Sequence, residues 1–259
     1  MNIIFLSFLA GVVGMGLGGL FAAFFGSRTE KTTSFFLSFA GGVMVSIVFL
    51  ELVPKSFELS NIAVTIIGLI IGAGLVLVLN NLMDRLSSVG NSSKLHETFA
   101  EFFHSNDVIA RKSSMLRSGI IMLFAIALHN IPEGLAIGAA GHYDATLGLT
   151  LAFLIALHNI PEGMAVSAPL IAGGVSKLKT VIITVLAGAT TVVGALVGVL
   201  IGGVSDFSVA ISFSIAGGAM LYIVLGEIIP QVIVMSKDRV PTFYAMAGIL
   251  VGMLFTELV

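Results

Sequence analysis

The sequence LHNIPEG occurs twice, at residues 128–134 and again at 157–163. Each copy holds a histidine and a glutamate four residues apart, so that in a helix the two side chains share one face. Imidazole and carboxylate are ligands that suit zinc, iron and other first-row divalent cations. The asparagine after each histidine adds a neutral oxygen. The candidate metal ligands are therefore His129, Asn130, Glu133, His158, Asn159 and Glu162.

Both copies lie inside long apolar segments, where an ionised side chain costs about 2.5 to 3.5 kcal/mol at the centre of a membrane helix. The prolines of the motif, Pro132 and Pro161, cannot donate an N–H to the carbonyl four residues earlier. A freed carbonyl at membrane depth needs protein, water or an ion to satisfy it. A single histidine in a membrane helix can be explained by a hydrogen bond to a neighbouring helix, and a single glutamate by protonation. Two identical motifs at the same depth in the membrane favour a metal site instead.

The composition places this motif in a membrane protein, since 57% of the 259 residues are hydrophobic and 10% are charged, against roughly 25% charged in soluble domains. There is no cysteine, so a metal must be held by nitrogen, oxygen or thioether sulfur. The net charge of -2 gives no argument for a nucleic-acid partner. Apolar runs long enough to cross a bilayer predict eight helices, at 3–25, 33–54, 62–82, 118–141, 146–171, 178–203, 207–232 and 241–258.

The sequence thus predicts an all-α, multi-pass protein of the cell membrane, embedded in the lipid bilayer. With the N-terminus outside, every lysine and arginine except Lys55 falls in an inner loop or next to one. This is the charge asymmetry typical of membrane proteins. Both termini are predicted to lie outside, and no cleaved signal peptide is expected because Met1 is not followed by a positively charged region.

An internal repeat relates the second span to the seventh. Residues 40–54 align without gaps on 216–230, with Glu51 opposite Glu227 and a proline three residues after each. Three spans in each copy, separated by two more, place the copies in opposite orientations across the membrane, an arrangement typical of transporters. The predicted single transporter domain, 1–259, divides into repeat one at 1–82, a cytoplasmic loop at 83–117, central site helices at 118–171 and repeat two at 178–259.

Taken together, the doubled HNIPEG, the FAGGVM at residues 39–44, the eight spans and a polar loop that contains His96 and His104 resemble the ZIP family of zinc and iron permeases, and its broad-specificity bacterial uptake members in particular. The resemblance covers essentially the whole chain. It implies that the six motif residues form the transport site and that the chain has a 3+2+3 inverted repeat. Members of the family are often dimers, so the resemblance also implies a possible homodimer. It departs from the family at Thr191 and Val192, where many bacterial members carry a Glu-Pro pair that helps to form a second metal position.

The resemblance leads us to expect uptake of divalent cations into the cytoplasm by alternating access. Zinc is the chief expected substrate, with iron(II), manganese, cobalt and cadmium also compatible with nitrogen and oxygen ligands. Glu51 and Glu227 are predicted metal ligands at the outer and inner ends of the path, and metal binding by His96 and His104 is left open. No cofactor is expected.

The alternatives are an intramembrane metalloenzyme, a metal exporter and a metal sensor that use the same ligands. An enzyme is disfavoured because Asn, and not a glutamate base, follows each histidine.

Overall fold

Eight apolar helices make up most of the chain in a computed structural model that describes residues 2–26, 29–88, 108–143, 145–201, 205–236 and 238–257. These described residues form helices and short connections, with no β-strand among them. Each of the eight helices is long and apolar enough to cross a membrane. They are α1 (Ile3–Phe25), α2 (Glu30–Leu59), α3 (Ile62–Ser88), α4 (Val108–Tyr143), α5 (Ala145–Ala172), α6 (Lys177–Ile201), α7 (Asp206–Met235) and α8 (Val240–Glu257).

The eight predicted spans are confirmed, although several helices extend further than predicted. Residues 83–88 and 108–117, expected in the polar loop, continue α3 and α4 as helix. The rest of that loop, including His96 and His104, lies outside the described residues, as does Asp144. A prediction from hydropathy finds only the apolar part of a helix. It therefore does not include the polar turns by which the helix continues beyond the membrane.

The helix α2 continues past Pro54, at which it was expected to end, and α7 continues past Pro230 to Met235, three residues beyond its predicted end. In each, a π-helical turn precedes the proline, Val48–Leu52 in α2 and Ile223–Ile228 in α7. The proline then occupies the first turn of a new α-helical stretch. A proline is tolerated there because its missing N–H removes no established helical hydrogen bond. Glu51 and Glu227 both lie within the π turns.

Contacts between helices repeat in the manner that the internal repeat predicts. A Cβ atom at Gly42 in α2 would lie 2.1 Å from the carbonyl oxygen of Ala245 in α8. Its counterpart in the alignment, Gly218 in α7, would place a Cβ 2.0 Å from the carbonyl oxygen of Leu69 in α3. Each glycine therefore allows two helix backbones to touch. The α2–α8 and α7–α3 pairs are equivalent contacts in the two copies.

Packing sorts the helices into two groups of four. In the first group α4 packs along α5 and α6, and α5 packs along α1. In the second group α2 packs along α8, and α3 along α7. The groups meet where α2 contacts α5 and α7 contacts α4. The two helices that carry the HNIPEG motif thus belong to one four-helix group. Each of them packs against the second group mainly through one helix.

Candidate metal site

The two copies of the motif meet in the interior, because α4 and α5 pack side by side. His129 and Glu133 on α4 and Glu162 on α5 are all buried. Each offers one ligand atom, and these atoms all lie within 4.8 Å of one another. The structure therefore brings one imidazole and two carboxylates, from both copies of the motif, to a group of the size that a metal ion requires.

The spacing of these atoms suits a first-row ion. His129 Nε2 lies 3.4 Å from Glu162 Oε1 and 2.8 Å from Glu133 Oε1. Tetrahedral zinc with bonds of 2.0 to 2.2 Å places neighbouring ligand atoms about 3.4 Å apart. The first separation already has this value. The second reaches it with a shift of less than about 1 Å in the Glu133 carboxylate.

His158 joins the group through Glu133. Its Nε2 lies 2.7 Å from Glu133 Oε1, so one carboxylate oxygen faces imidazoles from both α4 and α5. His158 is itself buried. All four charged or ionisable residues of the doubled motif are therefore in one connected cluster in the centre of the bundle.

Several polar atoms of this cluster are left without hydrogen bonds. His129 Nε2 is close to both carboxylates but outside hydrogen-bond geometry. Both oxygens of Glu162 and the second oxygen of Glu133 are buried with no hydrogen-bond partner among the residues that the structure describes. A buried polar atom without a partner costs about 1 to 3 kcal/mol, and more if it is charged. A divalent cation at this point would satisfy all of these atoms together.

The two asparagines are held by neighbouring helices. Asn159 Nδ2 donates to the carbonyl oxygen of Ala10 at 3.0 Å, and Asn130 Nδ2 donates to that of Ala187 at 3.4 Å. Both side chains are fully buried, and each Oδ1 has no partner within the described part of the chain. The amide nitrogen fixes the side chain and leaves its oxygen available to a cation. The role of these oxygens as ligands stays a prediction.

Thr191 lies on α6 against the motif of α4. A Cβ at Gly134 would be 1.9 Å from the carbonyl oxygen of Thr191, so this residue is adjacent to the helix turn that bears Glu133. Its side chain is buried, with Oγ1 unpartnered among the described residues. At the position where the resemblance implies a glutamate in other members, this chain therefore has a buried threonine, whose Oγ1 lies against Gly11 of α1.

Glu51 lies near the cluster on the side of α2. It is 5% exposed, and its charge is close enough to interact with His158 and Glu133. Lys55 Nζ lies 3.4 Å from Glu51 Oε1, while Oε2 has no hydrogen-bond partner in the described residues. The sequence did not single out Lys55 for this contact, although its position four residues after Glu51 places both on one helix face.

Glu227 lies in a second buried polar cluster. Asn80 Nδ2 donates to its Oε1 at 2.9 Å, and Ser118 Oγ donates to its Oε2 at 3.1 Å. Gln231 Nε2 donates in turn to Ser118 Oγ. None of these three partners of Glu227 was predicted from the sequence. The spacing of four residues from Glu227 could have indicated Gln231, whereas Asn80 and Ser118 come from other helices and have no such local signal.

The chain is similar to known zinc transporters over nearly its whole length. A sequence model described as ZIP Zinc transporter matches residues 1–259. The zinc transporter ZupT of Akkermansia muciniphila is 36% identical over 265 residues, which cover 98% of this chain and 94% of that protein. The zinc transporter ZupT of Chlorobium chlorochromatii is 30% identical, with 97% and 95% covered, and that of Corynebacterium glutamicum is 30% identical, with 91% of each covered.

The chain belongs to the ZIP zinc transporter family. This ZIP chain is therefore a metal-cation transporter and a multi-pass protein of the cell membrane. Membership also removes the metalloenzyme alternative, because the family and its curated relatives are transporters.

Proposed function

We propose that this protein takes up divalent transition-metal cations, chiefly zinc, into the cytoplasm. One observation carries the proposal: His129, Glu133 and Glu162 place their ligand atoms within 4.8 Å of one another inside the bundle. Their unsatisfied lone pairs converge at the middle of helices that are suited to crossing a membrane. The zinc named for the curated relatives agrees with this ligand set.

Transport begins, in this proposal, when a hydrated cation loses water to Glu51 at the outer end of the path. The ion then passes to the histidines and glutamates of α4 and α5, with Asn130 and Asn159 as further oxygen ligands. It leaves past Glu227 toward the cytoplasmic loop. Such a sequence replaces hydration step by step, so that the bare ion never meets an apolar environment.

Alternating access follows from relative motion of the two four-helix groups. Both site helices belong to one group, and each packs against the second mainly through one helix, α5 against α2 and α4 against α7. A cavity of about 510 Å³ lies between the groups, lined on one side by Phe21, Pro161 and Met164 and on the other by Phe35 and Tyr244. Incomplete packing there lowers the resistance to sliding. We retain the predicted division into repeat one at 1–82, the loop at 83–117, the central site helices at 118–171 and repeat two at 178–259. In this proposal α1 and α6 accompany the site in its motion.

Iron(II), manganese, cobalt and cadmium are proposed as secondary substrates, because mixed nitrogen and oxygen ligands accept all of them. We also propose, on the resemblance, that the chain forms a homodimer. Light scattering of the purified protein in detergent at two concentrations measures the protein mass, and a monomer at both would contradict the dimer.

The test is uptake of radiolabelled zinc into sealed proteoliposomes. We expect saturable uptake by the wild type and its loss in the double variant His129→Ala, His158→Ala. The matched control is His142→Ala, which removes a histidine from α4 outside the site. Equal uptake by the double variant and the wild type, at equal protein content, would refute the proposed site.

Direction is tested separately in cells. Cells that express the wild type should accumulate more zinc than cells that express the double variant. A lower zinc content together with better survival in high zinc would identify an exporter instead.

A further inference from the structure

The outer carboxylate is already paired with a cation of the protein itself. Lys55 Nζ lies 3.4 Å from Oε1 of Glu51, one helical turn further along α2. The glutamate side chain is 5% exposed and that of the lysine is 34% exposed. The ammonium therefore lies between the buried carboxylate and the surface. In the predicted topology, Lys55 is the one basic residue in the outer connections.

The second copy of the repeat lacks this pair. The alignment that places Glu227 opposite Glu51 places Gln231 opposite Lys55. Glu227 receives its hydrogen bonds from neutral donors, Asn80 and Ser118, and Gln231 reaches it through the serine. The same helical framework thus presents a carboxylate paired with an ammonium on its own helix at one end. At the other end the carboxylate has neutral hydrogen-bond donors, and the charge of Arg117 acts on it from α4.

A lysine suits a contact that must be broken. Its ammonium is a point charge on a flexible four-carbon stem, and a partly exposed ion pair is weak. A divalent cation carries twice the charge and can bind Glu51 through both oxygens. The second oxygen, Oε2, has no hydrogen-bond partner within the described residues. An arriving ion can therefore displace the ammonium, which then swings toward water.

We propose that Lys55 is a tethered cation that occupies the outer ligand Glu51 until a substrate ion displaces it, and so determines the apparent affinity for substrate. When no ion is present, the ammonium provides the counter-charge that a buried carboxylate needs. When an ion arrives, breaking this pair lowers the net gain from binding. The inference rests on the proposed function, with Glu51 as the first ligand on the path.

The experiment compares zinc uptake kinetics of Lys55→Gln with wild type in proteoliposomes, at a mildly alkaline pH where protons compete little for carboxylates. Gln is the residue found at the equivalent position of the second repeat. We expect KM to fall about threefold, within the range given by partly exposed ion pairs, with a smaller change in maximal rate. Lys55→Arg keeps the charge and should retain a KM near that of wild type.

Two further variants separate competition from other effects. In a Glu51→Gln background the added change Lys55→Gln should leave KM unaltered, because the carboxylate that binds the ammonium is gone. Lys31→Gln removes an exposed charge that is paired with Asp238 elsewhere, and it controls for net charge.

An unchanged or raised KM in Lys55→Gln, with normal uptake by wild type, would overturn the inference and leave the proposed function standing. A fall in KM that persists without Glu51 would also overturn it. Absence of uptake by the wild type would instead refute the proposed function, and this inference with it.

Discussion

Replacing Gly163 by alanine should disturb the proposed metal site by separating two helices. A Cβ at this position would lie 2.3 Å from the carbonyl oxygen of Met15 and 3.1 Å from the Cα of Gly18, both in α1. Carbon and oxygen atoms normally approach to about 3.3 Å or more. Since both contacts are backbone atoms, no side-chain rotation relieves the clash. The helices α1 and α5 must therefore move apart by about 1 Å.

The expected magnitude follows from this displacement. Overpacking of a close contact costs about 1 to 3 kcal/mol. Glu162 directly precedes Gly163, and its Oε1 lies 3.4 Å from His129 Nε2, which is already the spacing that zinc prefers. Binding sites tolerate errors of only about 0.5 Å. We therefore expect zinc affinity to fall by about tenfold or more, together with a loss of thermal stability.

The assay is calorimetric titration of zinc into the purified protein in detergent, with thermal unfolding followed in parallel. The matched control is Gly74→Ala in α3, where an added Cβ would meet no atom within 4 Å. There alanine should be neutral or slightly stabilising, because it is the better helix former. Wild-type zinc affinity and stability in Gly163→Ala would refute the reasoning. So would equal losses in both variants, which would reflect a general effect of changing a helical glycine.

Three further predictions concern individual polar contacts. Glu133→Gln should weaken zinc binding by at least about tenfold, because the carboxylate oxygen that lies 2.7 Å from His158 Nε2 loses its charge. The same calorimetric titration measures this, and an unchanged zinc affinity would exclude Glu133 as a ligand. Ser118→Ala should lower the thermal unfolding temperature, because Glu227 Oε2 loses the hydroxyl that donates to it at 3.1 Å. A buried acceptor without a partner costs about 1 to 3 kcal/mol. An unaltered unfolding temperature would contradict this prediction. Hydrogen bonds from the Val240 N–H and from a serine hydroxyl, with the Lys31 contact, hold the pKa of Asp238 below its usual range. These contacts therefore stabilise the α7–α8 connection above the usual pKa of an aspartate, and the stabilisation is lost as pH falls through the lowered pKa of Asp238. NMR titration of the Asp238 carboxyl carbon measures that pKa, and a midpoint at or above the usual aspartate value would contradict the prediction.

The sequence was sufficient to predict the eight helices and the close approach of the two HNIPEG motifs. A membrane helix needs a long apolar segment, so the local composition of the sequence is enough to predict that the helix exists. Likewise, the spacing of four residues places His129 and Glu133 on one face without any knowledge of the fold. The repeat of this pair in α5 then required only that two consecutive helices pack side by side.

What the sequence could not predict depends on contacts between distant segments or on small departures from helical geometry. The hydrogen bonds from Asn80 and Ser118 to Glu227 join three helices, and no periodic pattern marks them in advance. The continuation of α2 past Pro54 was missed because a proline is normally read as a helix end. The grouping of α1 and α6 with the site helices was also beyond prediction, since apolar faces of similar composition do not specify their partners.

The π turns of α2 and α7 have a consequence for how the lengths of related chains can vary. A single-residue deletion in a regular helix rotates everything beyond it by about 100° and turns its packed face away. Within Val48–Leu52 or Ile223–Ile228 the same deletion would remove the surplus residue of the wide turn and leave an ordinary α-helix, with both flanking stretches facing as before. Together with a third π turn, Leu9–Val13 in α1, these are places where the bundle should tolerate the deletion of one residue. Such a deletion would also shift Glu51 or Glu227 from its position while the helices around it stay folded.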